Sequence, residues 1–314
     1  SSGVIDKVFE VAEGALSSPG SRLLMAGNPT KTSGYFFDSH NKNRGSFTTL
    51  HFKTQDSPLA APDYREKLVR KFGENSNVVR VRADGEFPKQ EDDVLIALEL
   101  VEPILFREPV QFVSGTKRRL GIDVARYGDD RTTFVLRAGP TIEHIHFHEK
   151  KDLMETVGRA AHLARAWHAH EICVDVNGMG GGVADRLREL GFTVIDVDVN
   201  VAAPGRPAGA LFQADKMRDH LMLELLEWLE DPRASAYLAA NESPEQKEMI
   251  EDMIGEIASV KYKLLSNGKL RIESKDEMKA RGLRSPDFME GLNMTLTPQR
   301  SGTGRISSAG KRVF

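Results

Sequence analysis

The sequence predicts an α/β fold, a mixed sheet with helices on both sides, and three observations predict it. Beyond residue 116 the patterning runs three strands, helix, strand, helix, strand, helix. The first two strands form a hairpin through a turn rich in Gly and Asp. The fourth strand ends in a glycine-rich turn, Asn177-Gly178-Met179-Gly180-Gly181-Gly182, that leads into a helix. In order, the strands cover roughly 118–125, 131–138 and 142–148. A helix over 152–168 follows, with Leu153, Val157, Ala160, Ala161, Ala164 and Trp167 on its buried side. Glu171 to Asp175 is a strand, Gly182 to Leu190 a helix and Thr193 to Val197 a fifth strand, before helices over Gln213–Glu230 and Glu245–Ile254. From Val260 the pattern is a hairpin with a two-residue Asn267-Gly268 turn that pairs Leu265 with Leu270. Neither of its faces is cleanly apolar, so the ribbon is expected to protrude. A last helix opens with Ser285 as N-cap and Pro286 in its first position.

The first 88 residues read differently. Val4 to Leu16 has helical spacing and ends at Ser17-Ser18-Pro19-Gly20. Arg22 to Ala26 is a short apolar strand running into Gly27-Asn28-Pro29-Thr30, and Phe47 to Phe52 is another strand. Pro62 to Phe72 is a helix and Val78 to Arg82 a further strand. A strand such as 22–26 normally has neighbours earlier in sequence, so the chain is expected to be the back end of a longer protein. Residues 84–115 are charge-rich and punctuated by Pro88, Pro103 and Pro109, which sets a domain boundary there. The tail, 298–314, holds Arg300, Arg305, Lys311 and Arg312 with no acid and is expected to be flexible.

Composition excludes several classes. The 314 residues are 40% apolar and 28% charged, with a net charge of −3, so any grip on nucleic acid must come from a local basic surface. Cys173, the single cysteine, rules out an internal disulfide and a multi-cysteine zinc site, and within Ile172-Cys173-Val174 it reads as a packed thiol. No apolar run reaches membrane-spanning length and the start is not a signal peptide, which leads to a cytoplasmic expectation. His144, His146 and His148 alternate along one strand face and read as solvated edge residues rather than ligands.

Three acids carry the candidate chemistry. Asp123 lies within the apolar strand Leu120-Gly121-Ile122-Asp123-Val124, where an ionised carboxylate needs a compensating cation. Asp175 ends its strand, at the edge where α/β folds place ligands. A dinucleotide site is the rival reading of the glycines after it, but their spacing is not G-x-G-x-x-G following a first strand. Asp287 starts a helix, where it either serves a site or complements the dipole, and Glu290 shares its helix face. Two-metal phosphodiester hydrolysis needs carboxylates from separate elements around cations ~4 Å apart. Hard oxygen ligands select Mg²⁺ or Mn²⁺ over zinc.

These motifs resemble those of the large terminase subunit of tailed bacteriophages, the motor-nuclease that packages DNA. Gly121-Ile122-Asp123-Val124-Ala125 with Gly128-Asp129-Asp130 resembles its first nuclease motif, Val174-Asp175 with Gly178-Met179-Gly180 the second, and Ser285-Pro286-Asp287 the third. The resemblance implies a ribonuclease H-like fold over 116–297 that cuts double-stranded DNA by two-metal hydrolysis. Asp123, Asp175 and Asp287 would be catalytic metal ligands, with Glu290 standing where many members carry an Asp. Asp129 and Asp130 read as turn residues. Gly27-Asn28-Pro29-Thr30 resembles the ATPase coupling motif, so residues 1–88 would be the end of an ATPase domain and 89–115 a linker. No G-x-x-x-x-G-K-[ST] sequence is present, so ATP would serve only the full-length protein. The implied partners are DNA, portal protein, the small terminase subunit and further copies in the motor, within the host cytoplasm. Lys261, Lys263, Lys269, Arg271, Lys275, Lys279, Arg281 and Arg284 form a candidate phosphate-tracking rim, with Lys117, Arg118 and Arg119 as a possible addition. Lys275 is also a candidate for stabilising the pentacovalent phosphate. The rivals are another ribonuclease H-like enzyme, of resolvase or transposase type, and a catalytically silent motor component.

Overall fold

The computed structural model describes residues 6–89, 93–109, 115–125, 130–207, 210–298, 300–301 and 305–306. At its centre is a five-stranded sheet, mixed as the sequence predicts, and its strands stand in the order β3-β2-β1-β4-β5. The strands are β1 (Arg118–Asp123), β2 (Thr132–Ala138), β3 (Thr141–His148), β4 (Glu171–Asp175) and β5 (Val194–Val197). β1 pairs antiparallel with β2 and parallel with β4. One face is closed by α6 (Leu153–Ala166) and α7 (Gly180–Glu189), which pack on Leu120, Ile122, Phe134, Leu136 and Val174. α6 starts at a reciprocal cap in which the Asp152 carboxylate accepts the Glu155 N–H at 2.8 Å and Glu155 returns the bond at 3.1 Å.

The other face carries α8 (Met217–Glu230), α9 (Tyr237–Glu242), α10 (Pro244–Ile257) and α12 (Asp287–Thr295). α12 crosses β1 with backbone against backbone. A Cβ at Gly121 would stand 2.0 Å from the Gly291 carbonyl oxygen, and one at Gly291 would meet Thr133 Oγ1 at 2.7 Å. Only glycine permits this crossing. α8 starts later than the pattern implies, at Met217 rather than Gln213, because residues 213–215 run extended beside the ribbon, with the Leu270 N–H donating to Gln213 O.

Several expectations for the first part of the chain are corrected. α1 spans Asp6–Ala15 and α3 Tyr64–Phe72, close to the predicted helices; Ser1 to Ile5 lie outside the described residues. Residues 21–34 and 47–52 contain no strand: the described residues supply no partner ladder, and Leu24 and Phe52 stay exposed. A short α2 (Tyr35–His40) lies between them. The predicted strand over Val78–Arg82 is a helix, α4 (Asn77–Arg82), capped by Ser76 Oγ, which accepts the Val79 N–H at 3.3 Å. Val78 and Val79 pack with Leu68 and Phe72 of α3, so packing and the cap override β propensity.

Part of the stretch expected to be a linker, 89–115, is packed into the body. Ile96, Leu98, Val101 and Ile104, the last in a 3₁₀ turn after α5 (Leu98–Val101), are buried in the larger core rather than spanning solvent. Residues 90–92 and 110–114 of that stretch lie outside the described residues, as does the tail apart from residues 298, 300–301 and 305–306. The hairpin is present as β6 (Tyr262–Leu264) and β7 (Leu270–Ile272), but shifted by one residue: Leu264, not Leu265, opposes Leu270. Leu265 N–H donates to Lys269 O, and Gly268 adopts φ +75°, giving a three-residue loop. Leu270 and Ile272 are consequently buried, so β7 is anchored to the body rather than protruding.

Gly121→Ala is expected to destabilise the chain by about 3 kcal/mol or to expel α12 from the sheet, read as a lowered urea midpoint. An unchanged midpoint would refute the close crossing. His220 of α8 is buried, its Nδ1 lacks a partner, and burial with the nearby Arg206 charge pushes its pKa down to about 4. Because folding favours the neutral ring, the stability it contributes is complete above its ordinary 6.5 and is lost as pH falls towards 4. His220→Gln should therefore lose less stability between pH 7 and 4.5 than the unsubstituted chain; parallel curves would contradict this.

Candidate functional site

Asp123 and Asp175 end neighbouring parallel strands, one step beyond the paired Ile122 and Val174, so both side chains leave the sheet on the α12 side. The Asp175 Oδ1 accepts the Asn177 backbone N–H at 3.0 Å and the Asn177 side-chain amide at 2.8 Å. That amide also donates to Asp198 Oδ1 at 3.1 Å. Asp287 is the first residue of α12 and is buried. Ser285 does not cap the helix as expected: Pro286 holds the cap position, and the buried Ser285 hydroxyl bears on the Asp287 carboxyl, acting with the Arg131 N–H against the upward push of burial. Asp287 is held instead by β2, whose Thr133 hydroxyl donates to its carbonyl at 2.7 Å, and by the Arg131 N–H, which donates to its Oδ2 at 2.9 Å. Its Oδ1 is buried with no partner.

Glu290, one turn along α12, and Lys275, the first residue of α11 (Lys275–Ala280), complete the group. The Lys275 ammonium pairs with Glu290 and lies 3.4 Å from Asp123 Oδ2. Arg218 of α8 approaches Glu290 at 3.6 Å. Burial pushes the Asp123 carboxyl well above its ordinary range; Lys275 opposes this, while Glu290, Asp287 and Asp175 add to it. Burial also raises the Asp175 and Asp287 carboxyls, against the hydrogen bonds from Asn177 and Arg131. For Lys275, burial works against the charge, but the Asp123 and Glu290 carboxylates outweigh it and hold the ammonium protonated.

The three aspartates expected from sequence are thus brought into one electrostatic field, with Glu290 among them. Beside them opens a cleft of about 190 Å³, edged by Asp175, Asn200, Arg218, Lys275 and Glu290 over a floor that includes Leu221, Ile272 and Met294. Among the described residues, no three His, Cys, Asp or Glu side chains close around one point as tightly as metal ligands do. The Lys275 ammonium lies between the acids as their counter-charge. The donor set, all carboxylate and with a buried, unpartnered oxygen on Asp287, suits a hard divalent cation.

The expected basic rim is less free than its composition suggests. Lys261 pairs with Asp93, Lys263 with Glu277, Arg271 with Asp215, Lys279 with Asp130 and Arg281 with Glu273. Lys117 and Arg119 pair with Glu171, and Arg118 with Glu143. Arg284 is exposed and Lys269 half-buried. Asp129 lies outside the described residues. His144 stacks on Trp167 and pairs with Glu242, a structural arrangement. Pro29 and Thr30 are buried, and no residue of Gly27–Thr30 lines the cleft.

Sequence reasoning missed Arg131 and Glu256. The Arg131 guanidinium is buried over the Phe288 ring at 4.4 Å, beside Glu256 at 3.3 Å, Asp252 at 3.7 Å and Asp287 at 3.8 Å. Glu256 in turn accepts the Met289 N–H of the first turn of α12 at 2.9 Å. The one signal for Arg131 was a cation directly before a buried strand, which reads equally as turn polarity.

No family model matches the sequence. A probable terminase large subunit of Enterobacteria phage P7 is 28% identical to it, an alignment covering 92% of this chain and 60% of the relative, so the chain spans about three fifths of the relative's length. Among solved structures, the nuclease domain of the large terminase subunit of bacterial virus Sf6 aligns with a TM-score of 0.53 at 19% identity, over 65% of this chain and 98% of that domain. A mutant of that domain with manganese and beta-thujaplicinol aligns with a TM-score of 0.56 at 18% identity, over the same shares. The chain is thus similar in sequence to a probable bacteriophage terminase large subunit, and its sheet and helices share the fold of the terminase nuclease domain.

Proposed function

We propose that this chain is the nuclease-bearing part of a large terminase subunit and cuts double-stranded phage DNA by metal-dependent phosphodiester hydrolysis. The observation that carries the reading is the convergence of Asp123, Asp175 and Asp287 from two strand ends and a helix start, sharing one field with Glu290 and Lys275. The sequence relative is a probable terminase, and one structural neighbour holds manganese, which supports Mg²⁺ or Mn²⁺ as the cofactor here. Asp123, Asp175 and Asp287 are the proposed ligands, with Glu290 as a fourth. Bound divalent cations supply an activated water and neutralise charge on the leaving 3′ oxygen.

The chain's own residues do the rest. Asn177 fixes the Asp175 carboxylate through Oδ1, which leaves Oδ2 directed elsewhere. Thr133 and the Arg131 N–H hold Asp287 at the helix start. Lys275 is charged and, once released from Glu290, can meet a phosphate oxygen. Arg284 and Lys269 are the most available of the proposed DNA-contacting residues; Lys261, Lys263, Arg271, Lys279 and Arg281 would exchange carboxylate partners for phosphate, making binding steeply salt-dependent. Portal protein, the small subunit and further copies are the proposed partners, in the host cytoplasm. Among the described residues no helix is long and apolar enough to cross a membrane. Residues 1–88 are proposed as the end of the ATPase domain, with Gly27, Asn28, Pro29 and Thr30 as the coupling motif and ATP bound only by the longer protein.

The test is nicking of supercoiled plasmid by the full chain in Mn²⁺. Asp123→Ala, Asp175→Ala and Asp287→Ala should each reduce nicking to background while the thermal transition persists. A well-folded chain that never nicks DNA in Mn²⁺ would favour a catalytically silent motor component.

A further inference from the structure

We infer that Arg131 is a positioning residue of the candidate metal site: it ties Asp287 and the start of α12 to the sheet so that one carboxylate oxygen is committed and the other presented. The inference rests on the metal reading above and deepens it. Three independent contacts converge on this residue. Its backbone N–H, at the entrance to β2, takes Asp287 Oδ2 at 2.9 Å. Its guanidinium lies over Phe288, the next residue of α12, 4.4 Å from the ring centroid, a cation–π contact in a buried setting. Its fork reaches Glu256 at 3.3 Å, and the other oxygen of Glu256 accepts the N–H of Met289.

This one residue therefore meets Asp287 through its backbone N–H and, at 3.8 Å, its Nε, while its side chain meets Phe288 directly and Met289 through Glu256: the first three residues of α12. These N–H groups have no intrahelical acceptors, so a helix start is the part of a helix most dependent on outside partners. Glu256 of α10 supplies the acceptor for Met289, while Arg131, just before β2, pairs with Glu256 and donates its own N–H to the Asp287 carboxylate. The result is an asymmetric carboxylate. Asp287 Oδ2 is occupied by the Arg131 N–H, with Nε 3.8 Å away, whereas Oδ1 is equally buried and has no partner. Orphaned buried oxygens are costly in a packed interior, and a cation is the partner that this one lacks. Arginine suits the role because a planar fork can hold two carboxylates and stack on a ring at once; lysine keeps the charge without the fork.

Partners that orient metal ligands typically change metal affinity 10- to 100-fold when removed. Mn²⁺ binding to the full chain, measured by isothermal titration calorimetry, tests the role without reference to activity. Arg131→Met is expected to weaken Mn²⁺ binding by about 10-fold or more, and Arg131→Lys, which retains charge and stem and so protects folding, by several-fold. Plasmid nicking should then need correspondingly more Mn²⁺ for half-maximal rate, with KM for DNA unchanged at saturating metal. Arg131→Lys that is folded and binds Mn²⁺ as tightly as the unsubstituted chain overturns the inference while leaving the metal site intact. An unsubstituted chain that binds no Mn²⁺ overturns both the inference and the metal reading.

Discussion

Helix α12 meets strand β1 with no side chain between them, and the position of every acid in the site follows from that approach. Gly121 and Gly291 are the contact, and a methyl group on either would collide with backbone or with Thr133. With the helix this close, Asp287 at its start and Glu290 one turn later reach the strand ends that carry Asp123 and Asp175. The sheet supplies two acids because β1 and β4 are parallel neighbours ending in register. Moving α12 outward by the width of one side chain would separate the two pairs and leave a fold without a site.

Crowding four carboxylates is the electrostatic cost of that arrangement. Two like charges 4 Å apart repel by about 4 kcal/mol at an effective dielectric near 20, so the cluster is not stable without cations. Lys275 sits between Asp123 and Glu290, Arg218 approaches Glu290 from α8, and Arg131 lies behind Asp287. These contacts come from three different elements, and they tie the closing of the fold to the assembly of the site. Lys71 of α3 extends the charged chain outward by pairing with Asp252, the acid on the far side of Arg131, so the first part of the sequence is seated on the same network.

The sheet region was legible in the sequence because burial dictates period there. All five strands and helices α6, α7 and α10 fall within a few residues of where alternation and amphipathicity put them. The hydrophobic run Val78–Val81 misled, since β-branched residues read as strand until the Ser76 cap and the packing of α3 are known. The ribbon slipped by one residue because Asn267-Gly268 was taken as a two-residue turn, while Gly268 alone adopts the left-handed conformation in a longer loop. Among the candidate site residues, Asp123 and Asp175 stood out as acids within or ending apolar strands, and Asp287 as the acid that opens a helix. Arg131, Asn177 and Arg218 were not, since their roles exist only through partners distant in sequence. The same blindness applied to the basic rim: a list of lysines and arginines does not reveal the acids that the fold places opposite them.

The central claim is that Asp123, Asp175 and Asp287 serve one cation site, and crystals of the full chain soaked in Mn²⁺ test it most directly. Anomalous density bounded by these three carboxylates is expected, with Asp287 Oδ1 among the ligands and the Lys275 ammonium withdrawn. Crystals that take up Mn²⁺ only at other surfaces, leaving Lys275 on Asp123 and Glu290, would contradict it.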